Sequence, residues 1–555
     1  MAKTFFGGSD PEPLPGIYAD QAGYRPGCRK TAVLTFPADH FSVVNENGDI
    51  VYEHEVTFFG HDKCSDDDVY IADLTAFNAP GTYRIAAGGK TSARFRIGEG
   101  VYKNVFFSVI KAFYYLRCGC GLEERHAGRF THAPCHSEVA EVYGEGTVRE
   151  VSGGWHDAGD YGRYVTAGAC ACAQLLYAFR MFPKAFDGLE LNIPESGSEL
   201  PDILAECRYE LEWLMKMQKE DGSAYHKVTT MLHAPFVMPE DDDGQLYIFP
   251  VSTSATADLC AVCALAAGIY EPYDKPFAER LKAAAGSAFD FLESHPDAIS
   301  FRNPDGCNTG EYGEEDDTDN RYWAAAEMYA LTGSERAHAE FKRQSEKLAG
   351  MPTYLRTSFG HWAVGGFGSL AYILTDRPDR NETKVQELMG FITGEAYWLT
   401  DKAAESGYGA AMSDDDYFWG SNMRMMHNAL LMILALKFTG DKKFARFAEE
   451  QIHVLLGRNP LGISYVTGCG EYSCNDPHLR PAFADGIDEC IPGMVCGGPN
   501  RQLNDRRAKE IIPPGTPPMK CFADNKDCFS LNEVTIYWNA AAALVFAFLC
   551  GDESR

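Results

Sequence analysis

The chain has 555 residues, of which 50 are Lys or Arg and 79 are Asp or Glu, so its formal net charge is −29 at pH 7. Such a surface repels phosphate backbones and anionic lipid, and we therefore expect neither nucleic-acid nor membrane partners. A hydrophobic fraction of 45% and a charged fraction of 23% are typical of a globular protein. The length predicts two or three folding units.

The sequence shows little that would address the chain to a membrane or an oxidising compartment. No apolar run reaches the roughly 20 residues that cross a bilayer, and residues 1–13 show no signal-peptide pattern. The 18 cysteines stand at irregular spacings, which favours reduced thiols and metal-bound sets over a disulfide framework. As it stands, the sequence predicts a cytoplasmic protein; the alternative is a secreted protein whose leader has been removed.

The first hundred residues have the character of a small β-sandwich. Short apolar, β-branched runs occur at 30–36, 51–59, 82–86 and 92–97. Asn47-Gly48 precedes the second run and is a hairpin signal. We expect a β-sandwich over residues 1–100 and a separate domain over 101–555.

Helical periodicity dominates the rest of the chain. Twelve segments predict six helical hairpins that close into an α/α barrel, and a helical solenoid is the alternative. A long loop-rich stretch, 457–531, separates the last two helices and is a candidate functional region. The segments are 102–117, 162–181, 198–218, 253–269, 276–294, 321–332, 336–350, 367–375, 382–398, 422–439, 441–456 and 533–550.

Two carboxylates stand in a Gly-rich turn before the second helical segment. The run Asp157-Ala158-Gly159-Asp160 places them three residues apart. Such a pair can share and activate a water molecule. The spacing fits equally well an N-cap aspartate beside an ordinary turn aspartate.

A third carboxylate, Glu533, opens the last apolar segment in Asn532-Glu533-Val534-Thr535-Ile536. We expect it in the first turn of that helix, where the helix dipole favours a negative charge. Taken alone, it is equally an ordinary first-turn glutamate.

The two motifs together resemble glycoside hydrolase family 9, the cellulase family with an (α/α)6 barrel. Further runs resemble the family in the same order, so the resemblance covers essentially the whole chain. Ile17-Tyr18-Ala19-Asp20-Gln21-Ala22-Gly23-Tyr24 and Ala79-Pro80-Gly81-Thr82-Tyr83 resemble its N-terminal immunoglobulin-like module. The runs in the helical part are Pro201-Asp202-Ile203-Leu204, Tyr225-His226-Lys227-Val228, Phe249-Pro250-Val251-Ser252-Thr253, Trp323-Ala324-Ala325-Ala326-Glu327, Trp419-Gly420-Ser421-Asn422 and Tyr465-Val466-Thr467-Gly468.

The resemblance implies an inverting hydrolysis of a glycosidic bond. Asp160 would be the general base that activates water, Asp157 would help to hold that water, and Glu533 would protonate the leaving oxygen. In an inverting enzyme the acid and the base stand about 6.5–9.5 Å apart, which leaves room for the water.

The resemblance also implies residues that bind the sugar. His478 and Arg480, in the run Pro477-His478-Leu479-Arg480, match a His-x-Arg element of the family. His226 and Trp419 stand in similar contexts for sugar contact. An indole face stacks on a pyranose ring, although Trp419 is also a candidate for core packing.

Metal ligands are a further expectation. Cys118, Cys135, His136 and His156 offer the sulfur and nitrogen donors that tetrahedral zinc prefers. Members of the family with the N-terminal module carry zinc at similar positions, which implies a structural site that braces the Asp157–Asp160 turn. Cys120 is the alternative to Cys118.

Calcium is expected in acidic loops, with Asp316, Asp319 and Asp485 as ligands. A solvated acidic loop with Asp319 as a helix cap is the alternative. Some members of the family place an aspartate where this chain has Ala363 or Val364, a departure that weakens the expectation.

The function expected is that of an inverting endo-β-1,4-glucanase, acting as a monomer on soluble or amorphous glucan. No cellulose-binding module follows the barrel in this sequence, which disfavours attack on crystalline cellulose. An exo-acting cellodextrinase, β-glucosidase or glucosaminidase of the same family, acting on oligosaccharides, is the alternative. A non-catalytic carbohydrate-binding protein and an α/α-barrel epimerase or lyase are less favoured, because all three carboxylates are present.

Overall fold

A computed structural model describes residues 16–551. Residues 1–13, on which the expectation about a signal peptide rests, lie outside the described part of the chain. Contacts divide the chain into two compact units. The first unit comprises the residues up to Ala112, Thr393–Ala482 and the residues from Gly486 onward, and the second comprises Phe113–Ile392 and Phe483–Asp485.

Nine strands of the first unit form the predicted β-sandwich. Eight of them run in one hydrogen-bonded path, and Lys90–Thr91 pairs with Gly81–Ala87 beside it. The two halves of the path enclose a common core that includes Leu34, Phe41, Ile85 and Phe95. The predicted hairpin at Asn47-Gly48 joins the fourth and fifth strands. The strands are Ile17–Tyr18, Gly23–Tyr24, Thr31–Leu34, His40–Asn45, Ile50–Asp62, Asp67–Asp73, Gly81–Ala87, Lys90–Thr91 and Phe95–Ile97.

All twelve predicted helical segments are helices. Short helices at Glu124–Ala127, Pro481–Ala484, Arg506–Ile511 and Phe529–Asn532 were not predicted. The long helices are Lys103–Tyr115, Val165–Met181, Asp202–Lys216, Thr253–Tyr270, Lys275–Ser294, Thr318–Thr332, Glu335–Ala349, Gly365–Leu374, Glu382–Glu405, Ser421–Thr439, Lys443–Leu455 and Ile536–Gly551.

Buried and amphipathic helices alternate in the second unit. Thr253–Tyr270 is buried nearly all round, whereas Lys275–Ser294 buries one face against it. The same pairing joins Thr318–Thr332 to Glu335–Ala349. A helix with apolar residues on every side needs neighbours on every side. The result is an inner and an outer layer built from helical hairpins.

One described helix, Thr253–Tyr270, has the length and hydropathy of a membrane span, with a mean hydropathy of 1.4. Of that window, 89% is buried within the protein. Its apolar character is therefore accounted for by its place in the inner layer.

A small five-stranded sheet lies among the loops before the inner helices of the second unit. Its order is Thr147–Arg149, Ala140–Val142, Tyr247–Ile248, Lys227–Thr229 and Arg163–Tyr164. Arg163–Tyr164 leads directly into the helix Val165–Met181. This sheet fixes the chain on both sides of the carboxylate motif.

Candidate active site

The two carboxyls of the Gly-rich motif lie in a closed turn in the second unit. Asp157 N–H donates to the carbonyl of Gly162 (2.9 Å), and Gly162 N–H donates to Asp160 Oδ1 (3.1 Å). Only 1% of Asp157 and 8% of Asp160 is exposed. The turn thus holds two nearly buried carboxyls in front of an inner helix.

The glycines of the motif are required by its shape. Gly154 has φ +76, and a Cβ there would lie 2.7 Å from the ring of Trp213. The next residue, Trp155, donates its N–H to Glu210 Oε2 (2.7 Å). A buried hydrogen bond to Glu210 therefore holds the chain just before the carboxylate turn.

Tyr312 binds Asp157 from a distant loop. Its hydroxyl donates to Asp157 Oδ2 (2.7 Å), whereas Oδ1 has no hydrogen-bond partner among the described residues. Burial raises the pKa of Asp157 to about 8, the Tyr312 hydrogen bond opposes the rise, and the charge of Asp160 adds to it. Tyr312 itself has φ +50, an unfavourable backbone for a non-glycine residue. Oδ1 is therefore a buried oxygen whose hydrogen-bonding capacity no described residue uses.

His233 occupies the second oxygen of Asp160. Its Nδ1 lies 2.6 Å from Asp160 Oδ2. With Gly162 N–H on Oδ1, each oxygen of this carboxyl has a protein donor.

The predicted cysteine and histidine ligands come together. One ligand atom from each of Cys118, Cys135, His136 and His156 lies within 4.8 Å of the others, and all four residues are buried. Cys135 Sγ is 4.0 Å from His156 Nε2. Cys120 is not part of the group, so Cys118 is the ligand candidate.

The chemistry of this group fits a metal ion. His136 Nε2 lies 3.2 Å from Asp242 Oδ2, and His136 Nδ1 is buried without a partner among the described residues. A carboxylate on the outer nitrogen is what metal-binding histidines usually carry. Burial raises the pKa of Cys118, but the hydrogen bond from Cys135 and the charge of Arg163 lower it by more. The pKa of Cys118 therefore lies well below its usual value. The group is thus a candidate metal site.

The predicted calcium ligands do not form such a group among the described residues. Asp316 is exposed and accepts from Thr318 N–H (2.9 Å). Asp319 is buried and accepts from Val364 N–H (2.8 Å). The only set of His, Cys, Asp and Glu atoms gathered within ligand distance in residues 16–551 is the cysteine–histidine one, and it does not include Asp485. Asp316 instead closes a local turn just before the helix Thr318–Thr332.

His226, predicted to contact sugar, is fully buried. Its Nδ1 lies 2.8 Å from Ser252 Oγ and its Nε2 lies 2.8 Å from the carbonyl of Glu311. Its ring stacks on Phe301 at 4.3 Å. Burial lowers its pKa to about 4. A sugar contact by either ring nitrogen would require one of these hydrogen bonds to break.

Glu533 lies in the first unit, and its local structure differs from the prediction. The last helix begins at Ile536, so Glu533 is not in its first turn. It ends the short helix Phe529–Asn532 with extended backbone (φ −56, ψ 156) and forms a bridge with His478. Gly497 N–H donates to its carbonyl (2.8 Å). These backbone pairings hold the chain extended at Glu533, so the last helix begins only at Ile536.

Trp419 and His478 share the surroundings of Glu533. Trp419 Nε1–H donates to Glu533 Oε2 (3.1 Å), and 37% of Trp419 is exposed. The rings of Trp419 and His478 lie 5.4 and 5.8 Å from that of Phe529. His478 Nδ1 lies 2.6 Å from the carbonyl of Lys526. Carboxyl, indole and imidazole thus form one cluster.

The His-x-Arg loop is anchored by Asp524. Its carboxylate accepts the N–H groups of Asn475 (2.7 Å) and Asp476 (3.1 Å). Arg480, at the other end of the loop, is 5% exposed. Burial raises the pKa of Asp524 to about 6, and the two N–H donors oppose that rise. The long loop is therefore ordered around a buried carboxyl.

Four residues at these clusters were not predicted. Tyr312 lies in the acidic loop that the sequence associates with calcium, so its neighbourhood carried a signal. His233, Asp242 and Asp524 lie in loops without a motif, and their partners are distant in sequence. Only the fold brings these pairs together.

Known proteins match the chain along its length. Glycosyl hydrolase family 9 matches residues 102–546, and the cellulase N-terminal ig-like domain matches residues 13–92. The chain is 42% identical to a cellodextrinase of Butyrivibrio fibrisolvens, over 96% of this chain and 98% of that one.

Solved structures agree with these matches. A single mutant of a thermostable endoglucanase from Alicyclobacillus acidocaldarius has a TM-score of 0.90 and 34% identity, covering 97% of this chain and 100% of that one. A Zn-binding triple mutant of the family 9 endoglucanase J30 has a TM-score of 0.88 and 33% identity, covering 95% and 100%. The predicted fold class, an immunoglobulin-like β-sandwich followed by an all-α (α/α)6 barrel, is confirmed.

Fold, carboxyl groups and similarities together define a glycoside hydrolase that acts on oligosaccharide or glucan chains. The chain belongs to glycosyl hydrolase family 9 and carries the family's N-terminal immunoglobulin-like domain.

Proposed function

We propose that this chain is an inverting endo-β-1,4-glucanase that hydrolyses soluble or amorphous glucans. The observation that carries the proposal is the Asp157–Asp160 turn, where two nearly buried carboxyls stand side by side and one oxygen accepts no described donor. Family membership and the similar endoglucanase structure support it.

Each carboxyl has a distinct role in the proposed reaction. Asp160 removes a proton from water while that water attacks the anomeric carbon. Asp157 helps to hold that water by a hydrogen bond at Oδ1, because Tyr312 already occupies Oδ2. Glu533 protonates the departing glycosidic oxygen, so that the net reaction adds one water across the bond.

The sugar-binding roles are assigned to the Glu533 cluster. The exposed indole of Trp419 offers a face to a pyranose ring while its N–H orients Glu533. His478 and Arg480 bind hydroxyls from the same anchored loop. We propose that His226 contributes indirectly, because its hydrogen bond to the carbonyl of Glu311 holds the Glu311 loop in place.

A structural zinc ion is the second part of the proposal. Cys118, Cys135, His136 and His156 would hold it, and Asp242 would orient His136. Because His156 directly precedes Asp157, the ion would brace the catalytic turn without entering the reaction. The similar Zn-binding structure supports this assignment.

We propose that calcium, if it binds, binds at the buried carboxyls around Asp319. Burial and the charges of Asp258 and Asp319 raise the pKa of Glu314, so a cation there would relieve the repulsion. Raising calcium from zero to 1 mM (about the affinity of a weak site) should raise the melting temperature of the wild type. An unchanged melting curve would remove calcium from the account.

An exo-acting cellodextrinase is the second candidate, favoured by the 42% identity to the Butyrivibrio enzyme over nearly the whole of both chains. The endoglucanase and the cellodextrinase can be told apart by the products that the wild type and Asp160→Ala release. The substrates are carboxymethylcellulose, mixed-linkage glucan and cellopentaose. Products of several lengths from the polymers, absent in the variant, support the endoglucanase. One product from cellopentaose with inert polymers supports the cellodextrinase, and no activity on any of the three contradicts both.

The remaining proposals concern assembly and surroundings. We propose a monomer that binds β-glucan chains and neither nucleic acid nor membrane, in line with the net charge of −29. Size-exclusion chromatography with light scattering tests the monomer directly, and a mass of twice the chain's 61.3 kDa would contradict it.

A further inference from the structure

His233 lies in a loop that docks on the catalytic turn. The carbonyl of Met231 accepts Asn308 N–H (2.9 Å), and His233 N–H donates to Asn308 Oδ1 (3.1 Å). Tyr161, inside the turn, donates its hydroxyl to the carbonyl of Val237 (2.6 Å). Hydrogen bonds on both sides of His233 thus set its position.

The imidazole of His233 contacts only one oxygen of Asp160. Nδ1 lies 2.6 Å from Oδ2, and 38% of the histidine side chain is exposed. An ionised carboxylate only accepts hydrogen bonds, so Nδ1 carries the hydrogen in this contact. Gly162 N–H holds the other oxygen. Two donors from different loops therefore define the plane of the carboxyl.

The other titratable groups near this contact are Asp157, Tyr164, Asp242 and Lys227. Burial and the charge of Asp160 raise the pKa values of Asp157 and Tyr164, and the Tyr312 hydroxyl donates to Asp157. A cavity of about 10 Å³, room for about one water, adjoins the contact, and Asp242 is the other carboxyl that lines it. Asp242 is bound to His136. The ammonium of Lys227 feels the charge of Asp160 and donates to Thr309 Oγ1 (2.9 Å). His233 is thus a side-chain donor to Asp160.

We propose that His233 is a positioning residue for the general base: its Nδ1–H orients Asp160 and keeps that carboxyl ionised. The inference rests on the proposed function of Asp160. A donor on a carboxylate stabilises the charged form, and a protonated imidazole does so more strongly. Asp160 then stays ionised to lower pH, and the lone pairs left on Oδ2 remain aimed at the attacking water.

The sign of the effect follows. Without the donor, Asp160 takes up a proton at higher pH, so the acidic limb of the kcat/KM profile moves to higher pH. The carboxyl also loses its fixed orientation, which lowers kcat by about ten- to a hundredfold, the range of one hydrogen bond to a charged group. KM should change by less than about threefold, because His233 acts on the base.

The test compares His233→Ala with His233→Asn on cellopentaose, measuring kcat, KM, the pH profile and the melting temperature. The Asn side chain places an N–H close to where Nδ1 stands, so it should recover most of kcat and part of the acidic limb. His54→Ala is the control, because His54 is an exposed histidine of the β-sandwich. It should match the wild type.

Two outcomes would overturn the proposal. One is a His233→Ala enzyme with wild-type kcat and an unmoved acidic limb. The other is a lower kcat that comes with a lower melting temperature, an unmoved limb and no recovery in His233→Asn, which describes a merely structural residue. Asp160→Ala separates this failure from that of the proposed function: if it hydrolyses cellopentaose like the wild type, the base itself is misassigned.

Discussion

The buried carboxyl of Glu327 should make the stability of the protein depend on pH. Glu327 is 2% exposed in the helix Thr318–Thr332, and its Oε1 accepts from the Tyr177 hydroxyl (2.6 Å) and Trp323 Nε1 (3.2 Å). Burial raises its pKa from 4.5 to about 7, although both hydrogen bonds oppose the rise. Glu327→Gln keeps the acceptor oxygen and removes the charge, so it isolates the cost of ionisation.

The sign and the size follow from proton linkage. Between pH 4.5 and about 7 the folded protein holds the proton and the unfolded chain releases it. The stabilisation is therefore complete below 4.5 and is lost as pH rises to about 7. Since a tenfold change in proton affinity is worth about 1.4 kcal/mol, ionisation costs the folded wild type about 3 kcal/mol at pH 8. Glu327→Gln does not have this cost, because its amide does not ionise.

Urea denaturation followed by tryptophan fluorescence at pH 5 and pH 8 measures the effect. The free energy of unfolding of Glu327→Gln should exceed that of the wild type at pH 8, and the gap should nearly close at pH 5. Glu335→Gln, in the first turn of the next helix, is a control for the loss of a surface charge. A gap of equal size at the two pH values would refute the reasoning.

Two further predictions concern the indole N–H that donates to Glu533 and the carboxylate that binds His136. Trp419→Phe keeps an aromatic ring but loses the N–H that donates to Glu533, so kcat on cellopentaose should fall about tenfold. The loss should be smaller on an aryl cellobioside, because its good leaving group needs less protonation. Equal losses on the two substrates would contradict the role of Trp419 in positioning the acid. Asp242→Asn should lower zinc affinity about 10–100-fold in competition with a chromophoric chelator, whereas the exposed neighbour Asp243→Asn should not. Unchanged affinity in Asp242→Asn would remove that carboxylate from the metal site.

The sequence was sufficient where a signal is local. Helical periodicity located all twelve long helices, because each helix repeats its burial pattern over several turns. The Asp157–Asp160 turn could be predicted because its glycines and carboxyls lie within a few residues of one another. The four candidate cysteine and histidine ligands follow from the resemblance to the family, and the structure gathers those same four side chains.

Contacts between distant loops could not be predicted. Glu533 was expected inside a helix because the apolar run begins beside it, but the backbone pairing with His478 keeps it extended. His226 matches a sugar-contact motif, yet both ring nitrogens are taken by Ser252 and Glu311. The contact between His233 and Asp160 depends on a loop without any periodic pattern. Such pairs follow from tertiary structure alone.

The most direct test of the proposed mechanism is the anomeric configuration of the first product, followed by proton NMR during hydrolysis of cellopentaose. Direct attack by water on a β-linked glucan, with Asp160 as base and Glu533 as acid, releases the α-anomer first, and the β-anomer then grows by mutarotation. A β-anomer at the earliest time points would mean a retained configuration and a covalent intermediate, which would contradict the roles assigned to the three carboxyls.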